Sequence, residues 1–365
     1  DMSGWMYRVI RGGKTIIPGA VMANYSLQKG DKVELYYSTA SVPEEPTITP
    51  EDVIALIDAI GEVDLSKGTA ISKARLAYND LSGAEKDQVT NYDVLTAAEA
   101  AYAKLVAEMG KKLEDIYKTT GDYMSKLGIP GVGGEWVALG LARSGRTVPA
   151  GYYDAVVKYV QEHADANERL ARSKVTDNAR IILALTAIGK DVTNVGGHNL
   201  LKGLDNMDYV QTQGINGPIF TLIALDSHNY PTMGDVTREK LIQAILDAQL
   251  SDGGWAFSGD EADVDMTAMA IQALAPYYKT NETVKTAVDK ALDVLSRLQQ
   301  ADGGFASGDS ANCESCAQVV VALTALGIDP LTDSRFIKNG VTMLDALASF
   351  YVTGGGFRHT ANGDL

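Results

Sequence analysis

Cysteine is almost absent from this chain of 365 residues; Cys313 and Cys316 are the only two and cannot build a disulfide framework. Histidine is nearly as scarce, and His163, His198, His228 and His359 show no metal-ligand spacing. Positive charge is short: 32 Lys and Arg stand against 47 Asp and Glu, a formal net charge of -15. That balance argues against nucleic acid or an anionic membrane as partner. No apolar run approaches the roughly 20 residues that a membrane-spanning helix needs, so membrane insertion is not expected.

What is abundant is ordinary globular material. A hydrophobic fraction of 45% excludes global disorder, and the length gives room for two or three domains. An acidic surface suits a protein outside the cell or on its wall. The chain opens at Asp1 without a signal peptide, which points to a mature fragment or an excerpt of something longer.

Three textures follow one another. Residues 1–40 alternate β-formers with Gly-rich turns, as in Trp5 to Ile10, Arg11 to Lys14 and Lys32 to Tyr37, a pattern of short strands. Residues 41–49, followed by Pro50, are proline-rich and poor in apolar groups, which suits a semi-rigid linker. Residues 50–109 show helical periodicity. Thr49-Pro50-Glu51-Asp52 reads as an N-cap with proline at the first helical position, and Val53, Leu56, Ile57 and Ile60 fall at helical spacing. With stretches near 66–80 and 93–109, this predicts a three-helix spacer.

Residues 110–365 repeat. Gln249-Leu-Ser-Asp-Gly-Gly-Trp255 returns as Gln299-Gln-Ala-Asp-Gly-Gly-Phe305, fifty residues later, and more weakly as Tyr351-Val-Thr-Gly-Gly-Gly-Phe357. An Ala-rich apolar segment follows each of the first two, ending at Leu274 and Leu323. Degenerate copies end at Leu141, Leu185 and Leu225. Amphipathic segments such as Val284–Leu298 and Arg238–Ala248 lie between them. A helix apolar on nearly every side must be surrounded by other helices, so the units predict five inner helices with outer partners, closed into a ring.

The Gln-x-x-x-Gly-x-Trp pattern at Gln249–Trp255 and its near copy at Gln299–Phe305 resemble the repeat of squalene and terpenoid cyclases. Residues 111–365 thus resemble the α/α toroid shared by those cyclases, the protein prenyltransferase β subunits and the cobalamin carriers. Residues 4–37 are similar to the second half of a small β domain found in bacterial surface proteins and in the same carriers. Residues 50–108 resemble helical spacers of Gram-positive cell-wall proteins. The expected class is therefore mainly α: a toroid of about five to six inner and outer helices, preceded by the spacer and a partial β module. The toroid usually has six inner helices and only five are readable, so the helix near 112–126 is expected to be an outer one whose inner partner lies beyond Leu365.

If the inner helices run in one sense, their N-termini share one face. Counted back from each final Leu, Thr176, Asn216, Asp265 and Glu314 occupy one position, with Glu135, Asp177 and Asp263 nearby. A polar, acidic mouth above an apolar barrel is a candidate ligand site, with Trp136 and Phe220 the only aromatic residues of the inner helices. Equally, carboxylates favour helix first turns on dipole grounds alone, by about 0.3–1 kcal/mol each. Asp263-Val-Asp265-Met-Thr267 resembles the acid motif of cyclases that protonate an alkene, with Met266 in place of the last acid; an enzyme would use Asp263 and Asp265. Zinc-dependent prenyl transfer lacks its Asp-x-Cys pair, since Asn312 precedes Cys313. Asp260, Asp263 and Asp265 are a weak Ca²⁺ candidate without EF-hand spacing. Cys313-Glu-Ser-Cys316 opens a helix, where a thiol pKa could fall, although small core or cap residues are the simpler reading. Gly128–Gly134 precedes a helix but follows no strand, a weak phosphate-loop pattern.

The leading expectation is a non-catalytic bacterial surface protein, extracellular or attached to the cell wall. It would bind a small-molecule ligand or a surface partner at Glu135, Trp136, Asp177, Asn216, Phe220, Asp265 and Glu314. Resemblance to the carriers implies a corrinoid as one candidate ligand; no cofactor is otherwise indicated. A structural or adhesion module and a terpenoid-acting enzyme are the alternatives.

Overall fold

A computed structural model describes residues 4–11, 14–16, 27, 29–38, 48–128, 131–308, 310–361 and 363. The linker expected at 41–49 falls largely outside these residues, as do Ile129 and Pro130 of the glycine-rich loop. The chain divides into two compact units, Asp1–Val53 with Ala77–Thr90, and Ile54–Leu76 with Asn91–Leu365.

In the first unit, strands β1 (Gly4–Arg11), β2 (Lys14–Ile16) and β3 (Lys32–Ser38) form an antiparallel sheet in the order β2-β1-β3. The register pairs Val9 with Ile16 on one side and with Val33 on the other. Arg8–Glu34, a directly opposed pair in the β1–β3 ladder, and Arg11–Asp31, just past its Ile10–Lys32 end, form ion pairs at 2.8 and 2.7 Å. Helix α1 (Pro50–Asp58) starts at a reciprocal cap: Thr49 N–H donates to the Asp52 carboxylate at 3.0 Å, and Asp52 N–H donates to Thr49 Oγ1 at 3.2 Å. Helix α2 spans Gly68–Asp80, of which only Ala77–Asp80 fall in this unit, and the single-turn α3 (Gly83–Lys86) carries a capping box from Ser82 and Glu85.

The second unit holds the ring. Helix α4 runs unbroken from Tyr92 to Met124, 33 residues, so the boundary expected between residues 109 and 110 falls inside it. Arg75 grips Glu99 of α4 with two hydrogen bonds of 2.6 Å. Leu65, in a short turn ahead of α2, joins the same hydrophobic core as the ring helices.

Beyond α4 the helices alternate as the repeat predicts. Inner helices are α5 (Glu135–Arg143), α7 (Val175–Ala187), α9 (Asn216–Asp226), α11 (Val264–Leu274) and α13 (Cys313–Ala325). Between them lie α6 (Gly151–His163), the single turn α8 (Met207–Val210), α10 (Arg238–Asp247) and α12 (Glu282–Leu298). A two-residue hairpin of β4 (Ile337–Lys338) and β5 (Val341–Thr342) leads into α14 (Met343–Ser349). The two helix types differ as their burial requires. α12 buries one stripe, Val284, Ala287, Val288, Ala291, Leu292 and Leu295, whereas α9 buries seven of its eleven residues on several sides.

Each inner helix packs on the next, from α5 through α7, α9 and α11 to α13. α4 packs on α5 and α14 on α13, and the ring closes where Tyr123 of α4 meets Gly355 so tightly that an added Cβ would collide with its side chain. Five inner helices are present among the described residues, and the position opposite them is closed by α4 with the Tyr351–Phe357 turn.

Candidate functional site

The turn that enters each inner helix is held by a repeated set of bonds. Gln249 Nε2 donates to Gly253 O at 2.8 Å and to Ala287 O at 2.9 Å; Gln299 Nε2 donates to Gly303 O at 3.0 Å and to Phe336 O at 2.9 Å. The aromatic residue then plugs the core: Trp255 and Phe305 are fully buried, and Trp255 Nε1 donates to Ile245 O at 2.7 Å. Gly303 has φ +82°, and an added Cβ would strike the Thr342 carbonyl oxygen, so only glycine fits.

Seven residues before the final Leu of an inner helix, a buried polar side chain ties the turn to its helix. Thr267 Oγ1 accepts from Trp255 N at 2.9 Å and donates to Trp255 O at 3.1 Å. Asn178 accepts from Leu170 N at 2.9 Å and donates to Glu168 O at 2.8 Å. In the third copy the position is Cys316, fully buried beside the Phe305 backbone. This accounts for Cys316, and the idea of a lowered thiol pKa is corrected for both cysteines. Burial pushes the Cys313 thiol up to about 12 and Cys316 up to about 11, so neither is poised as a thiolate.

Fixed this way, the inner-helix N-termini gather on one face. The loop that leads into one inner helix leans over the start of the helix before it. Gln213 Oε1 accepts from Thr176 N at 3.0 Å, Ser307 Oγ donates to Asp263 Oδ2 at 2.7 Å, and His359 O accepts from Cys313 N at 3.0 Å. His359 Nδ1 also lies 2.7 Å from Glu314 Oε2.

The expected site residues fall into two groups on this face. In the first, Glu135 is 1% exposed; its carboxylate accepts from Gly133 N at 2.8 Å and sits 3.4 Å from Arg180. Arg180 also donates to Asp177 at 2.8 Å, which leaves this guanidinium shared between two carboxylates. Trp136, 51% exposed, meets Phe220 at a ring-centroid distance of 6.4 Å. Those rings come from α5 and α9, which both pack on α7, so the contact crosses the inner side of the ring. Asn216 opens α9 one turn before Phe220, with its Oδ1 buried and unpartnered.

The second group centres on Asp265. Its Oδ1 is buried, and its carboxyl takes a side-chain hydrogen bond from Ser315, fully buried on the neighbouring helix. Burial raises the Asp265 pKa above the ordinary carboxylate range; nearby Asp263 and Glu314 add to the rise, while the Ser315 and Ser307 hydroxyls work against it. For Glu314 burial pushes the same way, but the hydrogen bond with His359, with its own backbone N–H and with Cys313, outweighs it and holds the carboxyl below the ordinary value. Asp263 caps α11 by accepting from Met266 N at 2.8 Å, and Asp260 stays in the exposed loop ahead of it. The two do not form a metal set with Asp265: among the described residues no three His, Cys, Asp or Glu side chains are grouped to hold an ion.

Arg180, Ser315 and His359 belong to this face but do not emerge from the sequence repeat as site residues. Arg180 lies one turn beyond Thr176, a signal that the spacing did carry. Ser315 and His359 matter only through contacts between repeats. Clefts also lie elsewhere. One of about 700 Å³ is lined by Ala142, Arg146, Tyr153 and Lys190 at the opposite ends of α5 and α7. Its cations are engaged, Arg146 with Asp122 at 3.1 Å and Lys190 over the Tyr153 ring.

A comparison with family models matches residues 180–361 to the prenyltransferase alpha-alpha toroid domain. This part of the chain is an α/α toroid domain. The match begins inside α7, yet α5 packs on α7 as the later inner helices pack on one another, so the toroid's geometry extends before the matched residues. Against curated proteins, the chain gives no match.

Proposed function

We propose that the toroid is a ligand-binding module of a protein displayed outside the cell, with the ligand entering at the inner-helix N-terminal mouth. The observation that carries this reading is the Trp136–Phe220 pair. A half-exposed Trp costs hydrophobic free energy, about 25 cal/mol for each Å² of apolar surface left in water, which an apolar ligand lying on it would recover. Asn216 Oδ1, buried and unpartnered one turn before Phe220, would give such a ligand a polar anchor. The acidic composition and the resemblance of the N-terminal regions to surface-protein modules support the location. Titration with the neutral apolar fluorophore N-phenyl-1-naphthylamine tests the site. Saturable binding that weakens about tenfold in Phe220→Ala supports it, and no binding, or binding indifferent to that change, removes it. A corrinoid ligand is the more specific version. Cobalamin titrated to about tens of micromolar would shift the visible absorbance if it binds, and silence there discards the corrinoid alone.

One observation favours a second reading, a terpenoid-acting enzyme. The raised pKa of Asp265 keeps its carboxyl closer to the neutral form that a proton donor needs. Against it stand Met266 in the acid motif and inner helices that offer a developing cation only the faces of Trp136 and Phe220. A product formed from an added linear isoprenoid, and lost in Asp265→Asn, would favour the enzyme.

A further inference from the structure

We infer that Cys313 and Cys316 are an oxidisable pair, which closes into a disulfide across the first turn of α13 and withdraws the Cys316 sulfur from the Phe305 turn. They are the only cysteines of the chain, so neither has another partner within it. Cys313 is the first residue of α13 and Cys316 the fourth. Residues three apart share a helix face, and helix geometry puts their Cα atoms about 5 Å apart, inside the range that a disulfide spans. The Cβ atoms of such a pair stand about 5–6 Å apart and must close by about 1–2 Å. Cys313 can supply that movement. As the first helical residue it makes no N–H bond within the helix, and donates instead to His359 O at 3.0 Å. It is also only part-buried, whereas Cys316 is fully enclosed. The two sulfurs are near enough for charge on Cys316 to raise the Cys313 pKa.

The cost of closing falls on the turn. In the reduced protein the N–H of the buried Phe305 donates to the Cys316 sulfur, the place that Thr267 Oγ1 takes for Trp255. A sulfur bonded to Cys313 turns away from Phe305 and leaves that N–H without its acceptor. An oxidant of the disulfide class, such as oxidised glutathione, completes the chemistry. One cysteine attacks it as the thiolate and releases one glutathione; the other cysteine then displaces the second. Two S–H bonds and one S–S bond of the oxidant give one S–S bond in the protein, and both hydrogens leave on the two reduced glutathiones. Because neither thiol is held as a thiolate in the fold, the exchange belongs to the folding chain. For the same reason the bond, once made, lacks the thiolate stabilisation that turns a Cys-x-x-Cys pair into a strong oxidant.

Refolding the reduced, denatured full chain in a mixture of reduced and oxidised glutathione tests this. Intact mass after iodoacetamide in denaturant should show the loss of two hydrogens and no alkylation, in a chain that stays monomeric. Cys313→Ser, which leaves Cys316 and its bond in place, should show no such loss. Native-state hydrogen exchange then reads the turn. The Phe305 amide should exchange at least about tenfold faster in the oxidised protein than in the reduced one, with the Trp255 amide unchanged. A chain that refolds with both thiols open to alkylation, or that joins cysteines of two copies, overturns the disulfide. A bond within one chain that leaves Phe305 exchange as it was overturns the effect on the turn. Both readouts are made on the parent chain, so the test stands even where Cys313→Ser fails to fold.

Discussion

Thr267, Asn178 and Cys316 stand at one repeat position with different side chains, and the difference sets what each can do. Thr267 both donates to and accepts from Trp255, so its hydroxyl satisfies a buried N–H and a carbonyl. Replacing it with Val keeps the shape and orphans those groups; chemical denaturation should show a loss of about 1–3 kcal/mol. Cys316 has a thiol in the same place, and its burial makes a chemical prediction. With thiol pKa values of about 12 and 11, Cys313 and Cys316 should resist iodoacetamide near pH 8 in the native protein and react on unfolding. Rapid native alkylation would contradict this. Asp265 gives a stability prediction whose sign follows from its raised pKa. Its contribution is fully present at low pH, where the unfolded chain also holds a protonated carboxyl, and is lost as pH rises through the folded value. Asp265→Asn cannot ionise, so it should be more stable than the parent near neutral pH and lose that advantage in acid, as thermal denaturation across pH would show.

At the scale of elements, the glycine-rich turns hold the ring. Gly303→Ala places a Cβ against the Thr342 carbonyl at φ +82°, and should cost about 1–3 kcal/mol by strain alone. The inner helices and their turns were legible in the sequence because the Gln–Gly–Gly–aromatic motif recurs and its neighbours are apolar on every side. The helix α4 was not. The boundary expected between residues 109 and 110 falls beside Gly110, which lies mid-helix, where glycine costs roughly 1 kcal/mol relative to alanine. The flanking Lys, Leu and Glu residues carry the helix through instead, with Leu105, Val106 and Met109 packed on the ring's core. The mouth was half legible. Residues aligned within a repeat, such as Asp265 and Glu314, follow from spacing. Ser307 on Asp263 and His359 on Glu314 join residues 44 and 45 positions apart, in neighbouring repeats, and no periodicity announces them.

For the whole molecule, the continuity of α4 means that the ring and residues 91–124 should behave as one cooperative piece. Native-state hydrogen exchange should protect the amides of Leu105 and Met109 to about the same degree as those of α5, with no separate opening at residue 110. The claim on which the functional reading turns is that the N-terminal mouth of the inner helices receives a ligand against Trp136. The three tryptophans make this directly measurable, because each indole N–H gives its own nuclear magnetic resonance signal. Trp136 is half exposed at the mouth, whereas Trp255 is buried with its N–H held by the Ile245 carbonyl. On titration with N-phenyl-1-naphthylamine, the Trp136 indole signal should shift saturably while that of Trp255 stays in place. A Trp136 signal that does not move while the fluorophore binds would place the site elsewhere and contradict the mouth.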